Sequence, residues 1–390
     1  MFRWLHFLRR PRWLVLTLAL LIGGALAGIE GWARYQFNAG QAALGTYQHE
    51  AARAHLQQYL RLWPRSATAH LLFARASRRA GKFAEAEHHL DECRKWASPE
   101  LGEEIAFEWA LLHAAVGDLS AVEETLQARL LSRPLDAPLI WEALAEGYRR
   151  NYRMPEALKC LDTWLYFDPD NAHAYFLRGE LHRQVGAVNR AREEYRRVVE
   201  LDPKQSEARE YLARCLVQVG RYQEAAEHLE ILLRQRPGDA RLRTLLARSR
   251  HDLGEHAEAI RLLDDVLREY PDHALALRER GRFALAAEKF ADAETWLRQA
   301  ALASPYDYEV QWSLYQALQG QRKTADASAQ LAKAQQLKNR MERLHEIQTH
   351  QMTLRPSDPK LHVELGGLLI QIGQQEEGER WLQSARQLKQ

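Results

Sequence analysis

The sequence predicts an all-α chain in which a long array of repeated units follows one N-terminal transmembrane helix. Three observations lead there. The composition of the 390 residues is globular, 46% apolar and 27% charged, with only 21 Gly and 13 Pro to interrupt a Leu- and Ala-rich chain of good helix formers. Prolines recur at a fixed interval, since Pro64, Pro99, Pro134, Pro169, Pro203, Pro237, Pro271 and Pro305 lie 35 or 34 residues apart. Finally, residues 13–29 are apolar but for Thr17, a run unlike anything later in the chain.

The first element is that run. Its 17 residues make about 25 Å of helix, the short end of what crosses a bilayer. Trp13 and Trp32, with Trp4 and Tyr35 further out, fall where interfacial aromatics belong, so the span is placed at 13–32. Arg3, Arg9, Arg10 and Arg12 precede it, whereas Glu30 and Arg34 cancel after it. By the positive-inside rule, residues 1–12 are a basic cytoplasmic N-terminus. A single-pass anchor then holds the rest of the chain on the periplasmic or extracellular side of the cytoplasmic membrane. Acidic lipid headgroups, not nucleic acid, are the partner for those cations. Two rival readings exist. Ala25-Leu26-Ala27 could be a signal-peptidase site that frees a soluble protein starting at Gly28. Arg9-Arg10 could be a twin-arginine signal, but Pro11 and Arg12 follow the pair and no Ser or Thr precedes it.

The proline ladder orders everything after residue 32. Twelve residues before each of its last five prolines stands Ala157, Ala191, Ala225, Ala259 or Ala293, and eight before each stands Leu161, Tyr195, Leu229, Leu263 or Leu297. This pattern resembles the tetratricopeptide repeat, a 34-residue helix–turn–helix unit with small residues at positions 8 and 20, bulky ones at 4, 7, 11, 17 and 24, and Pro at 32. The stretch 138–171 carries it best, through Trp141, Leu144, Ala145, Tyr148, Ala157, Leu161 and Pro169. Gly179 and Gly281 fit position 8, Tyr222 and Phe290 fit position 17, and Gly220 and Gly254 fall in the turn between helices. The resemblance implies a right-handed α-solenoid of about ten repeats. Small residues let helices A and B approach, bulky ones fill the gaps, and Pro stops helix B.

Extending the register gives eight units over 33–307, starting at 33, 67, 103, 138, 172, 206, 240 and 274. A ninth, degenerate unit takes 308–358, where Asn339 replaces the terminating Pro. No Gly or Pro occurs between Gln321 and Arg355, so its second helix runs on or bends into an extra helix with Met341, Leu344, Ile347 and Met352 on one face. A last unit fills 359–390. Ten units nearly fill the 358 residues after the span, as one quasi-linear array with no room for a separate catalytic domain.

Chemistry-bearing patterns are scarce. Lys plus Arg (54) nearly balances Asp plus Glu (52), which gives no global case for nucleic-acid binding. Sixteen histidines invite a metal search. His345-Glu346 with His350, and His49-Glu50 with His55, each have one residue too many for HExxH. His88-His89 and His251/His256 are expected to point apart. Acidic pairs such as Asp264-Asp265, Glu103-Glu104 and Glu193-Glu194 diverge on a helix. No P-loop, dinucleotide fingerprint or nucleophile elbow occurs. Cys93, Cys160 and Cys215 sit in different repeats, too far apart to bridge, and are expected to be inert thiols. The expectation is a protein without cofactor, metal or small-molecule substrate, and not an enzyme.

The family resemblance implies where a partner would sit, because positions 2, 5, 9 and 12 of each helix A line a concave groove. Carried onto this chain, those positions give Glu142, Glu146, Glu180, Glu207 and Glu210 with Arg149 and Arg183, then a basic stripe of Arg214, Arg241, Arg248, Arg278 and Arg282 with almost nothing acidic between. Such a stripe would attract an acidic or C-terminal segment of a protein partner, unless these arginines pair across repeats. Phe107, Phe176 and Trp312 at position 5 would be apolar anchors. The Lys and Asn of a chaperone-type carboxylate clamp are absent, as is an asparagine ladder. The function expected is a membrane-tethered, non-enzymatic interaction scaffold or assembly factor. The alternative is a cleaved, soluble periplasmic holdase.

Overall fold

The computed structural model describes residues 11–388, so nearly all of the basic segment expected at 1–12, with Arg3, Arg9 and Arg10, lies outside the described residues. Among the described residues every regular element is helical. The chain forms two compact units, Met1–Gly147 and Tyr148–Gln390.

The first unit holds α1 (Pro11–Gly45), α2 (His49–Leu62), α3 (Ala67–Arg79), α4 (Phe83–Trp96), α5 (Gly102–Val116), α6 (Glu123–Ser132) and most of α7 (Ala137–Arg150). Its first element is longer than expected. Span and first repeat are not separate elements, because α1 is uninterrupted for 35 residues. Residues 16–32 are exposed, whereas Ala33, Gln36, Ala43 and Leu44 are buried. Neither a proline nor a capping group interrupts the chain at residue 32, and Arg34 reaches back 3.7 Å to Glu30 across one turn. The apolar stretch within Leu16–Gly45 is long and apolar enough to cross a membrane. A buried ion network braces the next helices: Glu108 accepts from Arg75 and Arg78, both at 2.8 Å. Burial by itself would raise the Glu108 carboxyl, but the two guanidinium groups prevail and hold it below the ordinary range.

The second unit contains α8 (Met154–Phe167), α9 (Ala172–Gln184), α10 (Val188–Leu201), α11 (Ser206–Gln218), α12 (Tyr222–Gln235), α13 (Ala240–Asp252), α14 (His256–Glu269), α15 (Ala274–Ala286), α16 (Phe290–Ala303), α17 (Tyr308–Gly320), α18 (Thr324–Glu346), α19 (Met352–Leu354), α20 (Pro359–Gln371) and α21 (Gln375–Gln387). A π-helical turn, Ile347–Gln351, joins α18 to α19, so the ninth unit's second helix does run on. Leu344, Ile347 and Met352 are buried as their spacing suggested. Met341, expected on the same face, is 45% exposed.

Several pairs close by the same contact. Gly40, Gly179 and Gly281 occupy position 8, and a Cβ there would lie 2.7 Å from Leu56, 2.8 Å from Tyr195 and 2.5 Å from Leu297. Those three partners stand at position 24 of the same repeat, so the missing side chain is what lets the large one in. The turn from A to B passes through a left-handed residue at position 15. Gly81, Gly186, Gly220, Gly254 and Gly373 supply it cheaply, but Tyr47, Tyr152, Glu288 and Arg322 adopt it too, with φ between 56° and 62°. Ordinary side chains there carry local strain.

Candidate functional site

Several histidines are accounted for by a bracket that recurs in both units. The position-4 side chain of helix A reaches the carbonyl of the proline six residues back and also a side chain on helix B. His70 bonds the Pro64 carbonyl at 3.0 Å and His89 at 2.8 Å. Arg209 donates to the Pro203 carbonyl at 2.7 Å and meets His228 at 3.2 Å. Gln311 donates to the Pro305 carbonyl at 3.0 Å and accepts from Gln330 at 2.6 Å. His362 bonds the Pro356 carbonyl at 2.7 Å and Ser384 at 3.0 Å. These are fastenings between successive repeats, since each satisfies a carbonyl left over where helix B stops. Burial, with the nearby His70, pushes the His89 imidazole down to about 4. His251 and His256 do not point apart as expected. Their rings lie 4.6 Å apart, and His251 stacks on Phe283 at 3.8 Å. Cys93 and Cys215 are buried, and burial pushes both thiols up to about 11, so neither supplies thiolate at neutral pH.

The groove arginines separate into two groups. Arg248, Arg278 and Arg282 converge on Glu279, which is buried, at 3.9, 3.3 and 2.7 Å. Asp307 and Glu309 add contacts of 2.9 and 3.0 Å to Arg278, and Asp252 lies 3.3 Å from Arg282. This half of the expected basic stripe is therefore neutralised. Family positions overlook Glu279 because position 6 is not among those that line the groove. The signal was present in the run Arg278-Glu279-Arg280-Gly281-Arg282, where Glu279 and Arg282 have helical i, i+3 spacing.

Arg214 and Arg241 form the other group, and neither makes an ion pair among the described residues. They line a cleft of about 460 Å³ on α11 and α13 with Ser206, Glu207, Glu210, Tyr211, Gln235 and Arg236. Burial, reinforced by the nearby Arg241 charge, lowers the Arg214 pKa. Arg214 stacks over the Tyr211 ring at 5.4 Å, and Arg183 over the same ring at 5.3 Å. On the acidic side, Glu210 accepts from Arg236 at 2.9 Å. Glu180 accepts from Arg183 at 2.6 Å and from the Tyr195 hydroxyl. Burial, with Glu180 and Glu210 nearby, raises the Glu207 carboxyl. Glu142 is no groove residue, since it is buried against Arg79 at 2.8 Å.

The three aromatic anchors have different fates. Phe107 is buried under the Arg129 guanidinium, 3.9 Å from the ring centre, and offers a partner nothing. Phe176 is half-buried, packed between Tyr195 and Tyr211. Trp312 remains partly exposed against Tyr308 and Tyr315.

An array of paired helices with close-packed small residues, polar fastenings and a charged cleft on its A helices defines a repeat protein built to present surface. Family models described as tetratricopeptide repeat match residues 37–96, 143–206 and 244–308, and residues 182–249. The matches cover more than half of the chain, which belongs to the tetratricopeptide repeat family. No curated protein matches it in sequence. Solved structures resemble it in fold alone. PilW, a widely conserved type IV pilus biogenesis factor, is 18% identical over 50% of this chain and 91% of its own, with a TM-score of 0.43. Yeast Tom70 is 12% identical over 92% and 89%, with a TM-score of 0.45. A tetratricopeptide repeat protein from Parabacteroides merdae is 18% identical over 74% and 99%, with a TM-score of 0.39.

Proposed function

We propose that this protein is a non-enzymatic interaction scaffold, tethered to the cytoplasmic membrane by the first part of α1 with its right-handed repeat array on the exported side. It receives an acidic or C-terminal segment of a protein partner in the cleft on α11 and α13. The observation that carries this reading is the Arg214–Arg241 pair. Neither guanidinium makes an ion pair among the described residues, although Glu207 and Glu210 line the same cleft, and a partner's carboxylate meets both with charge-assisted hydrogen bonds. The three arginines around Glu279 have no such need and are structural. Tyr211 gives the segment an aromatic wall beside the arginines, and Trp312 on α17 supplies an apolar contact.

The test pairs Arg214→Glu and Arg241→Glu with Arg261→Glu, a change on the outer face of α14, and measures binding of a panel of acidic C-terminal peptides at two salt concentrations. Cleft variants should lose at least about tenfold in affinity, equivalent to about 1.4 kcal/mol, while the Arg261 variant keeps it. Binding should weaken with salt. Equal affinity across all three variants refutes the cleft. The tether is tested separately, because a mature N-terminus at Gly28 refutes it.

A further inference from the structure

We propose that the edge of the first unit at which helices B end lies against the same bilayer that α1 crosses, so that this part of the array is docked on the lipid surface and does not hang from a flexible stem. The proposal rests on the tethered reading above. Because α1 passes without a break from its exposed apolar stretch into the first helix pair, the span leaves the unit from the edge where A helices begin. Alternating helix direction puts the ends of α2, α4 and α6 on that same edge. Counting from Tyr47 in the first turn, Trp63 is as far along α2 as Gly31 is back along α1. At about 1.5 Å per residue the two lie at about the same height, and the apolar run of α1 ends at Glu30. Trp63 thus sits level with Trp32, where a span meets the headgroups.

The edge is composed accordingly. Trp63 is 45% exposed and Trp96 44%, and the third helix pair contributes Leu131 and Leu135, 88% and 96% exposed. Arg65 lies over the Trp96 ring at 4.8 Å and makes no ion pair among the described residues, a cation held beside an aromatic ring at the level of lipid phosphates. The opposite edge of the same unit, with its turns at 46–48, 80–82 and 117–122, carries only Val116 among the exposed large apolar residues described. An apolar and aromatic set confined to the one edge from which the membrane helix emerges matches a bilayer interface better than a protein groove, which would follow the A helices.

The full chain, reconstituted in phosphatidylcholine–phosphatidylglycerol vesicles, tests this. Nitroxide labels are placed singly at Trp96, Leu135, Lys82, Ser120 and Leu20 in a Cys160→Ser background, since the buried Cys93 and Cys215 thiols label poorly. Labels at Trp96 and Leu135 should favour oxygen over a water-soluble nickel reagent several-fold more than those at Lys82 and Ser120, and Leu20 should read deeper still. In unlabelled protein, Trp63→Phe and Trp96→Phe should each reduce tryptophan quenching by brominated lipid. If Leu20 reads as lipid while Trp96 and Leu135 read like Lys82, the docking is overturned and the tether stands. If Leu20 itself reads as aqueous, the tether fails and the docking with it. Protection of the edge that arises only on adding another protein also overturns the proposal.

Discussion

Replacing Tyr152 with Phe should loosen the C-terminal helix pair without unfolding the second unit. Tyr152 occupies the left-handed position of the turn before α8, yet its contacts lie near the other end of the chain. Its hydroxyl donates to Glu377 at 3.0 Å and accepts from Gln348 at 2.8 Å, and its ring stacks on Trp381 with centroids 5.6 Å apart. Burial, with Glu377 alongside, raises its pKa, so the phenol stays protonated and can donate. Removing the oxygen leaves Glu377 with Arg380 at 3.2 Å as an alternative, but strands Gln348. A hydrogen bond to a charged acceptor contributes about 1.5–3 kcal/mol, and the surviving Arg380 contact argues for the lower end. About 1.5 kcal/mol corresponds to roughly tenfold faster exchange wherever α21 opens locally. Hydrogen exchange followed by mass spectrometry should therefore show α21 amides exchanging about tenfold faster, with α11–α14 unchanged. Tyr152→Ala, which also removes the stacked ring, should cost about 3–5 kcal/mol. Unchanged exchange in α21 for both variants would refute the reasoning, because the contact would then carry no free energy.

Three further outcomes are expected. Glu279→Ala should destabilise the second unit by about 3–5 kcal/mol in urea titration, since it leaves Arg248, Arg278 and Arg282 facing one another without their shared anion; a shift under about 1 kcal/mol would show the network to be hydrated. Glu288→Gly and Arg322→Gly should each stabilise by about 1 kcal/mol, read as a higher Tm, because both are exposed residues at positive φ. Lowering the pH from about 6.5 to about 4 should destabilise the first unit. The His89 imidazole is held neutral down to about 4 in the folded chain, so the unfolded chain binds the proton first and stability falls through that window. The loss is at most about 3 kcal/mol, less for a partly hydrated ring, and His89→Gln should flatten the profile.

The repeat register was legible because its causes are local. Proline stops a helix wherever it falls, glycine at position 15 turns the chain cheaply, and a small residue at position 8 opposite a large one at position 24 is a contact within one hairpin. The period therefore determined the helix pairs, and the lack of Gly and Pro after Gln321 marked the stretch in which the ninth unit's second helix runs on through a π turn. The candidate site was only half legible. Family positions put Arg214 and Arg241 on helices A, where both line one cleft. They also counted Arg248, Arg278 and Arg282 as available and Phe107 as an anchor, because periodicity gives the direction of a side chain but not what neighbouring repeats bring to meet it.

Contacts between residues far apart in sequence were decided by tertiary structure alone. Glu279, which meets Arg278 and Arg282 on its own helix, gains Arg248 only when α13 and α15 pack side by side. His70, Arg209, Gln311 and His362 become fastenings only when a preceding helix leaves a proline carbonyl in reach. Tyr152 meets Glu377 and Trp381 across 225 residues or more, a separation at which no repeating pattern carries information. The division between Gly147 and Tyr148 falls inside the repeat that fits the family pattern best. Local pattern sets how well one hairpin closes on itself, whereas cohesion between successive hairpins depends on which surfaces they bury against each other, and a sequence period states only the first.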